Sequence, residues 1–203
     1  MSEPPKPTRG RPKTLDRDQV LSMALNAYWS GGPTSVSIAE ICDRAGVSKP
    51  GLYREFGSDD GLKAAVLDRY HDSVLTPMYE VLATDMPFDD VVQAFISFIA
   101  QDRASVGIPP GCLQVFARAV HADLGPLAAA RVDALREKTL SKYADLIDRA
   151  KNSGNFDPNI PTDVAALFFD AQNGSAMRMQ KEGVPDATIK DVVRHAFAGF
   201  GKR

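Results

Sequence analysis

Between Asp16 and Gly57 the sequence spells out the start and stop of three helices in close succession, and this constrains the fold more than any other feature. Asp16 is an N-cap with Gln19 at the third helical position and Leu15 ready to staple onto Val20, and Gly31-Gly32 ends that helix. Its buried face reads Leu21, Ala24, Leu25 and Tyr28. Ser37 caps the second helix with Glu40 as its reciprocal partner and Val36 stapled to Ile41, and Gly46 ends it. Ser48 caps the third with Val47 stapled to Leu52, Pro50 is tolerated because the first turn lacks intrahelical donors, and Gly57 stops it. Two short helices, Ser37 to Ala45 and Ser48 to Phe56, joined by a tight glycine turn, make a helix-turn-helix unit. Ile38, Ile41 and Cys42 are expected to pack on Leu52, Phe56 and the first helix.

The residues this core leaves outside carry the chemistry. Ser48, Lys49, Gly51, Tyr53 and Arg54 are polar, small or aromatic and lie near a helix end rich in free N–H groups, which suits phosphates and base edges. The whole chain shows no basic excess, with 24 Lys+Arg against 26 Asp+Glu, so any nucleic-acid function is local. Residues 1 to 56 carry eight bases and six acids, leaving 16 against 20 for residues 57 to 203. The first 13 residues hold four of the 14 prolines and, with Lys6, Arg9, Arg11 and Lys13 against Glu3, a side-chain charge of +3. Such a segment cannot bury enough surface to fold alone and is expected to be a disordered basic arm.

The stretch TSVSIAEICDRAGVSKPGLYREFGSDDGL, Thr34 to Leu62, and above all AGVSKPGLYREF, Ala45 to Phe56, resembles the tetracycline-repressor (TetR) family of bacterial transcription regulators. The resemblance implies that the third helix is the recognition helix, that Lys49, Gly51, Tyr53 and Arg54 face DNA, and that Tyr53 meets a backbone phosphate. This chain has Glu55 and then Asp59-Asp60 where the family often carries His and Lys, which predicts a weakened grip by the folded head. Thr8 to Lys13, TRGRPK, resembles the Arg-Gly-Arg-Pro core of an AT-hook, whose arginines enter a narrow A·T-rich minor groove. Thirteen extended residues reach roughly 40 Å, enough to span the neighbouring groove. The plain alternative is a solvating tail with incidental charge. The candidate DNA-binding set is therefore Arg9, Arg11, Lys13, Ser37, Ser48, Lys49, Pro50, Gly51, Tyr53 and Arg54.

Beyond Ser58 the apolar residues recur at helical spacing and nowhere with sustained strand alternation, which predicts an all-α chain. Six further helices are expected: Asp59 to Ser73, continuing past a kink at Pro77, then Pro87 to Ala104, Gly111 to Ala122, Pro126 to Ser153, Thr162 to Glu182 and Pro185 to Phe200. The organisation is an arm over 1–13, a helix-turn-helix domain over 14–57, and a larger helical effector-binding and dimerisation domain over 58–203. Ile189, Val192, Val193, Ala196, Phe197 and Phe200 form one stripe of the last helix, and Val164, Leu167, Phe168 and Phe169 leave the preceding helix apolar on more than one side. The resemblance implies a homodimer through a four-helix bundle of these last two helices.

Effector candidates are bulky aromatics with polar groups set among them: Tyr70, Phe95, Phe98, Cys112, Phe116, His121, Phe169 and Asn173, with His71, Gln114, Asp170 and Gln172 beside them. For each one a packed core or a satisfied polar group is the ordinary alternative. Cys112 admits two readings, a thiol sensor at a helix N-terminus or a buried small hydrophobe. Cys42 and Cys112 form neither a disulfide framework nor a zinc spacing, and the three histidines show no partner pattern, so no metal or cofactor is assigned. No glycine-rich phosphate loop, metal spacing or nucleophile elbow supports an enzyme.

The longest apolar run, Val164 to Phe169, is far short of the roughly 20 residues that span a bilayer, and no signal-like segment opens the chain, so a reducing cytoplasmic location is expected. The expected function is a homodimeric repressor released from a palindromic operator by a small, largely apolar effector. The alternative is a DNA-binding dimer without an effector, governed by protein contacts or abundance.

Overall fold

The computed structural model describes residues 15–201, and within them the chain is all-α, with no strand. The arm residues Arg9, Arg11 and Lys13 lie outside the described residues. α1 (Arg17–Gly31), α2 (Ile38–Ala45) and α3 (Lys49–Phe56) form as their caps direct. The side chain of Asp16 accepts from the Gln19 amide at 3.1 Å, that of Ser37 from Glu40 at 3.2 Å and that of Ser48 from Gly51 at 3.2 Å. Each such cap contributes about 1 kcal/mol. The turn between α2 and α3 hinges on Gly46 at φ 64°, a left-handed conformation that a side chain would strain. Val20, Leu21, Ala24, Ala27, Tyr28 and Trp29 bury α1, while Leu25, expected inside, is half-exposed at the flank.

α4 (Asp59–Tyr70) ends before Pro77, the position of the expected kink. A single π turn, His71–Leu75, joins it to α5 (Thr76–Leu82), with the Thr76 amide donating to the His71 carbonyl. Proline has no N–H to give and its ring crowds the carbonyl four residues back, so widening the turn just ahead of Pro77 lets the rod run on. The expected helix ending at Ser73 is therefore one long rod from Asp59 to Leu82. It packs on α1 at one end and along α8 for the rest, and so links the head to the larger domain.

α6 (Phe88–Ile99) stops earlier than the predicted Ala104, because the buried Gln180 side chain donates to the Ile99 and Gln101 carbonyls at 3.1 and 3.3 Å and satisfies the end. α7 (Leu113–Ala119) is likewise shorter than expected and gives way to a 3-10 turn, His121–Asp123. α8 (Pro126–Asn152) and α9 (Thr162–Lys181) follow the sequence expectation closely. α10 (Asp186–Phe197) ends three residues before Phe200, which folds back so that its ring stacks on Phe168 at 3.9 Å.

α8 and α9 lie side by side, their contact eased by Ala165, Ala166, Gly174 and Ala176, all buried on α9. Between α6, α8, α9 and α10 sits an aromatic core of Phe95, Tyr143, Phe169 and Phe197. Only part of the α10 stripe needs an outside partner: Ile189, Val193 and Phe197 are buried within the chain, whereas Val192 remains 46% exposed. Among the described residues no helix is long and apolar enough to cross a membrane.

Candidate nucleic-acid interface and candidate effector site

The surface of α3 owes its charge to the pairing of the acids around it. Glu55 is held by Arg17 at 3.0 Å, Glu40 by Arg44, Asp18 by Arg69 at 3.3 Å and Asp59 by Lys63 at 2.8 Å. Lys49 and Arg54 form no ion pair among the described residues and stand exposed, with Ser37, Ser48 and Pro50 also exposed. Leu52 and Phe56 anchor the opposite side of α3 in the core. Tyr53 is half-buried against that core, and the Lys49 ammonium sits 5.5 Å from its ring centroid. Gly51, third in the helix, lets the chain pass Ser48 closely, since a Cβ there would stand 3.1 Å from the Ser48 hydroxyl. The helix thus offers two cations without ion pairs among the described residues, an aromatic and a capped N-terminus, groups whose chemistry suits phosphates and base edges.

The acids that the sequence set against DNA binding have structural roles instead. Asp59 also accepts from the buried Tyr28 hydroxyl at 3.4 Å, tying α1 to α4. Asp60 does more. Its two carboxylate oxygens accept from the backbone amides of Leu127 and Ala128 at 2.8 and 3.0 Å, the first free donors of α8. α8 begins Gly125-Pro126 and has no side-chain cap of its own, so an acid from the start of α4, 67 positions away, supplies it. The approach is so close that a Cβ at Gly125 would fall 2.3 Å from the Asp60 carboxyl carbon. Reading the sequence one helix at a time missed this contact; the uncapped Gly-Pro start was its signal.

Asp60→Ala strands two helix N–H groups and a dipole end, and is expected to destabilise the protein by about 2 kcal/mol. That lowers the melting temperature by about 4–8 °C, with Asp60→Asn falling between the two. A melting curve matching wild type would show that the clasp contributes nothing.

The effector candidates do not converge on one cavity. Tyr70 and Cys112 meet in the interior, hydroxyl to sulfur at 3.1 Å. Burial pushes the Cys112 thiol above its ordinary range, so the thiolate of a sensor is disfavoured and the small-hydrophobe reading gains. Phe95 and Phe169 belong to the aromatic core, 5.4 Å apart and without exposed surface. Phe98 is half-buried at the core edge, and Phe116 lies under the Lys181 ammonium in an open groove of about 560 Å³ between α7 and α9. His121 sits outside on its 3-10 turn, 3.1 Å from Asp133. Asn173 is buried on α9.

Of the neighbouring polar candidates, Asp170 is paired bidentately with Arg118 at 2.9 and 3.1 Å, and His71 lies between Asp72 and Lys138. Gln114 is buried with its amide nitrogen unpartnered among the described residues. The sequence reading passed over several interior polar groups, among them Gln180, which also accepts from the Gly111 amide at 3.1 Å; Tyr143, whose buried hydroxyl has no partner among the described residues; and Arg103. Helical periodicity could have flagged Gln180 and Tyr143. Arg103 lies in a connection and left no such signal.

Comparison with known proteins agrees with this geometry. Residues 20–66 match the family model for bacterial regulatory proteins of the tetR family. The chain is 30% identical over 142 residues to the HTH-type transcriptional repressor ComR of Escherichia coli K12, spanning 68% of each protein. It is 32% identical over 142 residues to the HTH-type transcriptional activator FasR of Mycolicibacterium smegmatis, covering 68% of this chain and 61% of that one. Its fold matches the TetR family transcriptional regulator CifR, solved as a cysteine mutant with 26-bp operator DNA, at a TM-score of 0.81 and 22% identity over 94% of this chain and all of that one. With a matching reading head and relatives along two thirds of its length, the chain belongs to the tetR family of bacterial regulatory proteins, DNA-binding transcription regulators built on a helix-turn-helix.

Proposed function

We propose that the protein is a homodimeric repressor that reads a palindromic operator with α3 and leaves it when a small, largely apolar effector enters the larger domain. The reading divides the chain into an arm over 1–13, a DNA-binding head over 14–57 and an effector and dimerisation domain over 58–203. One observation carries it: Lys49 and Arg54 remain unpaired among the described residues and exposed on α3 while Glu55, Glu40, Asp18 and Asp59 are each held by another base. Selection of bound duplexes from a random pool is the test. An inverted repeat with half-sites roughly 34–36 Å apart, or a multiple of that, is the expected outcome. Recovery of unrelated sequences would refute it. The relatives include a named repressor and a named activator, so a promoter fusion in cells with and without the protein decides the sign, with repression expected.

The apolar residues left outside support dimerisation. Val164 and Leu167 on α9 are 51% and 47% exposed and Val192 on α10 is 46% exposed, on the two helices that a four-helix interface would use. The protein is expected to sediment at twice the mass of one chain, and Leu167→Ala to weaken the dimer about tenfold. A single-chain mass at micromolar concentration would exclude the dimer.

Effector binding acts through differential affinity for two conformers, about 1.4 kcal/mol for each tenfold change in operator affinity. The long rod from Asp59, with its Asp60 clasp on α8, connects the two ends mechanically. The arm adds minor-groove contacts through Arg9, Arg11 and Lys13. Deleting residues 1–13 is expected to weaken binding and to lower the slope of log affinity against log salt by about the number of phosphate charges lost. An unaltered slope removes the arm from the mechanism.

A further inference from the structure

We propose that Arg103 anchors a buried site for a carboxylate carried on an apolar body. The inference deepens, and rests on, the reading that the larger domain takes an effector. Arg103 follows α6 and is only 5% exposed. Its Nε and one terminal nitrogen have no partner among the described residues, and the other terminal nitrogen reaches nothing better than the Met177 sulfur at 3.9 Å, a weak acceptor. A guanidinium cannot shed its proton, and arginine is almost never found buried unless paired. The same domain shows how a half-buried arginine is met: Arg118 donates to both oxygens of Asp170. Arg103 has no such carboxylate among the described residues, and a ligand carboxylate matches its planar fork.

The surroundings fix the rest of the ligand. The guanidinium lies near enough to the Tyr70–Cys112 pair for its charge to favour the ionised form of both against their burial. Trp29 stands edge-on to Tyr70 at 4.9 Å and donates its indole N–H to the Gly111 carbonyl. Met177 touches the guanidinium, Tyr70 and Cys112 lie near it and Trp29 packs on Tyr70, so the cation adjoins aromatic and sulfur surface, the chemistry that suits an aliphatic or aromatic body with an acid at one end. Among the described residues the Gln114 amide nitrogen and the Tyr143 hydroxyl are also buried without partners, and both can donate to acceptor oxygens.

Trp29 is the only tryptophan, so its fluorescence reports on this site. Full-length protein without DNA is titrated with hexanoate, decanoate and cinnamate, each beside its neutral amide. A saturable change with at least one acid is expected, with its amide at least tenfold weaker. Arg103→Met is expected to erase that preference and to melt at or above the wild-type temperature in the absence of ligand, since it removes an uncompensated charge; Arg103→Lys keeps part of the preference. No response to any of the acids, equal affinity for acid and amide, a preference surviving in Arg103→Met, or a drop of several degrees in its melting temperature would each overturn the assignment. Release from selected operator DNA is measured separately. Acid binding without release preserves the site and refutes the effector reading, whereas release that is indifferent to Arg103 does the reverse.

Discussion

Replacing Tyr53 and Arg54 together with alanine is expected to lower affinity for the selected operator about 100-fold while leaving attachment to random DNA much less affected. Arg54 is exposed and free of any ion pair among the described residues, so its loss removes a DNA contact and no internal one. Contacts of this kind are worth about 1–3 kcal/mol each, and two of them in the lower part of that range, about 1.4 kcal/mol apiece, give about two powers of ten. Tyr53 is half-buried against the core, so truncating it also costs some packing. Tyr53→Phe keeps the ring and the platform under Lys49 while removing the hydroxyl, and separates a phosphate contact from support of the helix. The discriminating quantity is the ratio of operator to random affinity, measured by titration at fixed salt because both affinities fall with ionic strength. A ratio unchanged in the double variant would mean that α3 does not read sequence.

Phe169→Ala is expected to destabilise the protein by about 4 kcal/mol, the range found when a buried aromatic is truncated to a methyl. The ring has no exposed surface and meets Phe197 at 4.7 Å, Phe95 at 5.4 Å and Tyr143 at 5.4 Å, neighbours from three other helices. A chain of this length loses about 2–4 °C per kcal/mol, so the midpoint should fall by about 8–16 °C, with Phe169→Leu recovering most of the loss. The result also tests the candidate effector list. A Phe169 lining an open ligand cavity would have little packing to lose, and truncation would then change stability by under about 1 kcal/mol. The tight aromatic core favours the larger figure.

Legibility in the sequence tracked the range of the interactions involved. The three caps at Asp16, Ser37 and Ser48, the turn at Gly46 and the exposed residues of α3 were all readable, because each depends on partners within four residues along the chain. The far ends of α6 and α7 were misplaced because they are set by partners distant in sequence or by local 3-10 turns: the Gln180 amide that ends α6 comes from about 80 positions away. The π turn ahead of Pro77 was not readable, because helical periodicity has no sign for it.

Local pattern therefore determined the class of the protein, its helix-turn-helix and the amphipathic helices behind it, since those follow from capping chemistry and apolar spacing alone. Tertiary structure decided which charges are free. Glu55, Asp59 and Asp60 read as repulsive acids near DNA until folding gave each a donor in Arg17, Lys63 or the start of α8. Arg103 read as an ordinary connecting residue until folding buried it. The physical reason is the same in both cases: a charge takes its meaning from what surrounds it within a few ångströms, and those neighbours are brought together only when distant stretches of the chain pack.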